Sequence, residues 1–100
     1  MRELKTQDVF KMSRILKKMD IKIDVNKKTQ TQVGAEVILK IAENMHMAEN
    51  EINEFMGSLI GIPAKEFTEL PLAKTAKYFE EFKNLPSIAN FFKLAGQLNK

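Results

Sequence analysis

An all-α fold, a compact bundle of about five to six short helices in a single domain spanning 1–100, is what this sequence predicts. Three observations predict it. Apolar residues recur at helical spacing through most of the chain. Glycine (4) and proline (3) are scarce, which argues against a many-turned β fold. Apart from 20–32, the loops between periodic stretches span two to five residues, so successive helices are expected to be antiparallel neighbours.

The first helix is expected to start near Thr6–Asp8, where a capping oxygen and an early acid suit the unpaired amides. Val9, Met12, Ile15, Leu16 and Met19 then share one face. Lys11, Arg14, Lys17 and Lys18 fall on the opposite one. In 20–32 the period breaks: Ile21, Ile23 and Val25 alternate with polar residues, and no partner strand offers itself. A loop or short extended segment is expected there. Thr29 and Gln32 have the spacing of a capping box opening the second helix. Gly34, Val37, Ile38, Ile41, Ala42 and Met45 cover roughly 140° of it, which predicts a central helix with Leu39 outside the apolar face.

The third helix is expected over 48–61, burying Ile52, Phe55, Met56, Leu59 and Ile60, with Gly61 as its C-terminal cap and Pro63 beyond. One or two turns are expected in 63–70. Pro71 suits the first position of a fourth long helix, with Leu72, Ala76, Phe79 and Phe82 facing one way and Asn84 ending it. Pro86 opens the last helix, 86–98. Five of the chain's eight aromatic residues lie in 78–96. On the last helix Ile88, Phe91, Phe92, Leu94, Ala95 and Leu98 spread over roughly 160°. An edge helix in a small bundle seldom hides so wide a band. Part of it is therefore expected to stay exposed, with Ile88, Phe91, Phe92 and Leu98 as partner or self contacts.

Chemistry-bearing patterns are sparse. With no Cys and one His, thiol nucleophiles and Cys-based zinc sites are impossible. Ser13, Ser58 and Ser87 lack the context of a catalytic triad, and no phosphate-binding glycine loop exists. Glu43-x-x-His46 matches one half of a helical di-metal site, but a single copy could complete it only across a dimer. An exposed His near a helix end is the plainer reading. No enzyme activity, cofactor or metal is expected, and no signal peptide or membrane span.

Net charge is +3 and unevenly placed. Residues 1–28 carry nine basic groups against four acids, and the remainder seven against nine. Such asymmetry points to an anionic partner for the first third, with Lys11, Arg14, Lys17 and Lys18 as its contacts; a solvated face is the plainer reading. A small basic helical nucleic-acid-binding protein is the alternative that this charge raises. No helix-turn-helix pattern with a recognition helix supports specific readout.

Three stretches, MRELKTQDVFKMSRILKKM at the start, AENEINEFMGSLIGI in the middle and EEFKN…FFKLAGQL at the end, give the chain a family likeness. It resembles the tail assembly chaperones of long-tailed phages and prophages of Gram-positive bacteria. The resemblance spans nearly the whole chain, with 20–32 unmatched. It implies a small helical protein of the host bacterial cytoplasm, absent from the mature virion. Its implied role is to bind the aggregation-prone tape-measure protein while tail-tube subunits assemble. It also implies frequent self-association, and in many members a longer frameshifted form.

Overall fold

The computed structural model describes residues 1–22 and 30–98, and the backbone alone for 30–35. Six α-helices are described, in the order α1 (Thr6–Lys18), α2 (Gln30–Asn44), α3 (Glu49–Ile60), α4 (Ala64–Thr68), α5 (Leu72–Lys83) and α6 (Ile88–Leu98). One 3₁₀ turn, Met45–Met47, separates α2 from α3. There is no strand among the described residues, so the all-α expectation holds. The Cα radius of gyration is 12.6 Å, close to the roughly 13 Å of a well-packed chain of this length. The Thr29–Gln32 capping box and the alternation through Ile23 and Val25 lie outside the described residues.

Helix α1 buries the expected face: Met12, Ile15, Leu16 and Met19 are all within the core. It ends on Asp20, whose φ of 55° is left-handed. The Ile21 N–H then reaches back to the Leu16 carbonyl at 2.9 Å, and the Ile21 side chain enters the core. This is the six-to-one closure normally built on glycine; Asp is among the few residues that tolerate the conformation. The same closure ends α3. Gly61 has φ 81°, and the Ile62 N–H donates to the Gly57 carbonyl at 2.9 Å. The tight return presses the backbone onto Gly57. A β-carbon there would lie 2.7 Å from the Ile62 carbonyl oxygen.

A buried ion pair ties the N-terminal arm to this frame. Asp8, in the first turn of α1, has no exposed surface. Its two carboxylate oxygens accept from both terminal nitrogens of Arg2, at 2.6 and 2.9 Å, and one also accepts from the Lys5 N–H at 2.8 Å. Arg2 donates further to the Ser58 carbonyl and hydroxyl on α3, at 3.2 and 2.8 Å. Its own N–H donates to the Leu59 carbonyl. Burial pushes the Asp8 carboxyl up, but the Arg2 and Lys5 hydrogen bonds and the charges of Arg2 and Lys11 outweigh it and hold the group below its usual range.

Among the described residues α6 holds the centre of the molecule, a place the sequence predicts for α2, whose Gly34 lies outside the residues described beyond the backbone. Helix α6 packs against both α1 and α2, and its rings reach Phe55 of α3 and Phe82 of α5. Helix α2 buries Val37 and Ile41, while Ala42 is exposed and Leu39, as expected, stands out into solvent. The reason is bulk: α6 carries two adjacent phenylalanines together with Ala89 and Ala95, whose small side chains let neighbouring helices approach. On α5 only Phe82 of the expected face is buried and Phe79 is half-buried. Leu72 is 84% exposed, because it stands at the start of the helix.

Two predictions follow from these contacts. Arg2→Ala leaves a buried carboxylate without its countercharge and should destabilise by about 3 kcal/mol near neutral pH. The depressed Asp8 group contributes stability above its unfolded value, roughly pH 4, and loses it as pH falls through the folded value. The gap between wild type and Arg2→Ala in urea melts should therefore narrow on acidification; a gap independent of pH excludes this account. Gly57→Ala should destabilise by about 1–3 kcal/mol, since backbone rather than a flexible side chain must yield.

Candidate functional surfaces

Of the four residues expected to meet a partner on α6, three are core. Ile88 is 8%, Phe91 4% and Phe92 0% exposed; Leu98 is 52% exposed. The expectation that the bundle leaves this aromatic pair uncovered is therefore corrected. Helical geometry supplies the reason. At 100° per residue the apolar positions of α6, counted from Leu94 round to Ala89, span about 220°. The bundle encloses about 160° of that arc, from Phe91 to Ala89. The flank left outside carries Leu94 and Leu98, one turn apart and each about half exposed.

Phe91 and Phe92 join Phe55 and Phe82 in one ring cluster. Phe82 meets Phe55, Phe91 and Phe92 edge-on, with centroids 5.7, 6.2 and 5.8 Å apart. A second ring pair, Phe67 of α4 and Phe79 of α5, has its centroids 6.4 Å apart.

Beside that second pair lies an open groove of about 500 Å³. Met45, Ile52 and Phe67 supply its apolar lining, and His46, Glu49, Asn53, Thr68 and Thr75 its polar lining. The groove exists because α2 stops at Asn44. The Asn44 side chain donates to the Lys40 carbonyl at 2.9 Å, and the 3₁₀ turn that follows presents Met45 and His46 beside the first turns of α3. Asn44 and Ala48 lie outside helical backbone geometry, with φ −119° and −143°. This stretch has no Gly or Pro; the hydrophobic period placed the break between Met45 and Ala48, but nothing in the sequence marked the groove. Leu72 stands one turn before Thr75 on α5, and Met47 is 43% exposed in the turn itself.

Glu43 and His46 do not make a metal site. The helix ends between them and both are exposed. Among the described residues no group of three His, Cys, Asp or Glu side chains is placed to hold a metal ion. No described helix is long and apolar enough to cross a membrane.

The basic face of α1 is outward, as expected. Arg14 and Lys17 are exposed and Lys11 is half-buried. Lys18 differs: its ammonium is hydrogen-bonded to Glu51 of α3, and this contact holds the Glu51 carboxyl below its usual range. Lys18 thus ties two helices together across the surface. The structure adds a residue that the sequence reading left unassigned. Phe10 is 49% exposed and sits among the cations.

Phe92→Ala should cost about 3–5 kcal/mol, as an aromatic truncation in a closed core. The double change Leu94→Ser/Leu98→Ser should shift stability by no more than about 1 kcal/mol. Thermal melts of the two variants check this; equal losses would place the leucine flank inside the core.

No protein-family model, curated protein or solved structure matches this chain.

Proposed function

We propose that the protein is a non-enzymatic assembly chaperone that covers apolar helical segments of an elongated partner. The resemblance in its three sequence stretches names that partner as a phage tape-measure protein. The observation that carries the reading is the open groove floored by Met45, Ile52 and Phe67. An amphipathic helix buries apolar side chains at i, i+3 and i+4, and Met45, Ile52 and Phe67 offer a short apolar patch to such a row within a polar border. Methionine suits this task because its unbranched thioether adapts to different side chains. A chaperone of this kind needs many modest, reversible contacts rather than one tight one. Area alone does not make a contact tight, and a small groove with a polar border keeps affinity low. The exposed Leu94–Leu98 flank offers a second apolar strip for the same partner or for another copy of the chain.

The test is titration calorimetry with synthetic helical peptides of 20–25 residues taken from a tape-measure protein. Binding is expected in the micromolar range and should persist at 0.5 M salt, since apolar contact is not screened. Asn53→Arg/Thr75→Arg, which adds bulk and charge to the groove lining from α3 and α5, should weaken binding at least tenfold with an unchanged circular dichroism spectrum. Undiminished binding by that variant removes the groove from the reading. Undiminished binding by Leu94→Ser/Leu98→Ser as well would remove both apolar surfaces on which the proposal rests.

A further inference from the structure

The outward face of α1 carries an aromatic ring that the core does not use. Phe10, Arg14 and Lys17 stand at i, i+4 and i+7, within about 60° of one another around the helix and spread over roughly 10 Å of its length. Phe10 is about half exposed, Arg14 and Lys17 are exposed, and Lys11 flanks the stripe. The acid on α1 itself, Asp8, is buried and neutralised by Arg2. Glu3 and Asp20 are the nearest acids in sequence, and both lie beyond the helix ends. Among the described residues no ion pair engages Lys11, Arg14 or Lys17. The face is therefore an uncompensated cationic strip around one solvent-facing ring.

We infer that this strip binds single-stranded nucleic acid without sequence preference, a base stacking on Phe10 while Arg14, Lys17 and Lys11 contact flanking phosphates. Charge complementarity selects a polyanion, and the ring selects among polyanions. An acidic helix docking here needs an apolar seam of several residues. Apart from Phe10 the outward face offers Thr6, Gln7 and charged groups. A membrane surface likewise needs a broad apolar face to insert. A lone aromatic ring bordered by cations meets neither need, but it matches the pairing of stacking platform and phosphate contact that single strands use. In a duplex the bases are already stacked, so the ring has nothing to hold. This site is independent of the groove and does not depend on the chaperone reading.

Fluorescence anisotropy with labelled 15-nucleotide dT and dA strands, a 15-base-pair duplex and polyglutamate tests it. At 50 mM salt the single strands should bind in the micromolar range. With about three phosphates contacted, the log–log salt slope should lie near −2. Phe10→Ala should weaken single-strand binding about tenfold and leave duplex binding within twofold. Arg14→Glu/Lys17→Glu should abolish both. The chain has no Trp, so Phe10→Trp introduces the sole indole, whose fluorescence should be quenched on adding dT but not polyglutamate. Because these side chains are largely exposed, the variants should melt within about 2 °C of wild type. The inference is overturned if single strands fail to bind at 50 mM salt. It is equally overturned if Phe10→Ala leaves binding unchanged, or if polyglutamate binds as well as dT does.

Discussion

Four phenylalanine rings set the arrangement of this bundle. Phe82 is the hub, touching Phe55, Phe91 and Phe92, and the rings tie the consecutive helices α5 and α6 to the more distant α3. Helix α5 shows what the cluster does. Its first half is largely exposed, including Leu72 and Ala76, so its hold on the molecule comes chiefly from Tyr78, Phe79 and Phe82 in its second half. Edge-to-face pairs add roughly 0.5–1.5 kcal/mol each beyond the area they bury. They also fix direction: a ring that must present its edge to one neighbour and its face to another permits few helix rotations. Once Phe91 and Phe92 are fixed inside, the roll of α6 is determined. Leu94 and Leu98 then have to face out, whatever their hydrophobicity.

The second organising contact is electrostatic. Arg2 spans Asp8 on α1 and Ser58 on α3, and Lys18 joins Glu51 at the other end of the same helix pair. The two differ in kind. Asp8 is enclosed, so removing Arg2 strands its charge, whereas Arg2 itself keeps part of its surface in water. The Lys18 pair is half in water, where screening and side-chain entropy leave it worth little. Both fix the register of α1 on α3, and so decide which cations remain free. Arg2 and Lys18 are spent internally; Arg14 and Lys17 are not.

Helical period made most of the fold legible in the sequence. Met12, Ile15, Leu16, Ile52, Phe55, Met56 and Leu59 sit where their spacing put them, and Gly61 caps α3 as its position implied. Period gives relative phase within a helix, however, not the absolute direction of the core. Helix α6 is apolar around well over half its circumference, and nothing local says which part is enclosed. That is why Phe91 and Phe92 read as surface and prove to be core. The N-terminal latch was invisible for another reason: Arg2 and Ser58 are 56 residues apart and no pattern links them. The end of α1 was legible in the loss of period after Met19, but its left-handed closure on Asp20 was not, because that conformation is usual for glycine. The groove was hidden because the periodic pattern places the break near Met45 but does not say which side chains gather around it.

What is left at the surface is therefore the residue of packing decisions made elsewhere. The buried rings consume the aromatic surplus at the chain's end and leave α6 only two leucines outside. The break after Asn44 opens a groove that the short helix α4 only partly fills. Helix α1, held at both ends by ion pairs to its surroundings, turns Phe10 outward because its opposite face already carries Met12, Ile15, Leu16 and Met19. A 13-residue helix one of whose faces is fully committed to the core cannot bury Phe10 without exposing some of those four. Keeping a half-exposed aromatic among cations costs solubility and yields no packing in return. It is the one large apolar side chain on α1 that the core does not use, and that makes the outward face of α1 the place where stability and function separate most cleanly.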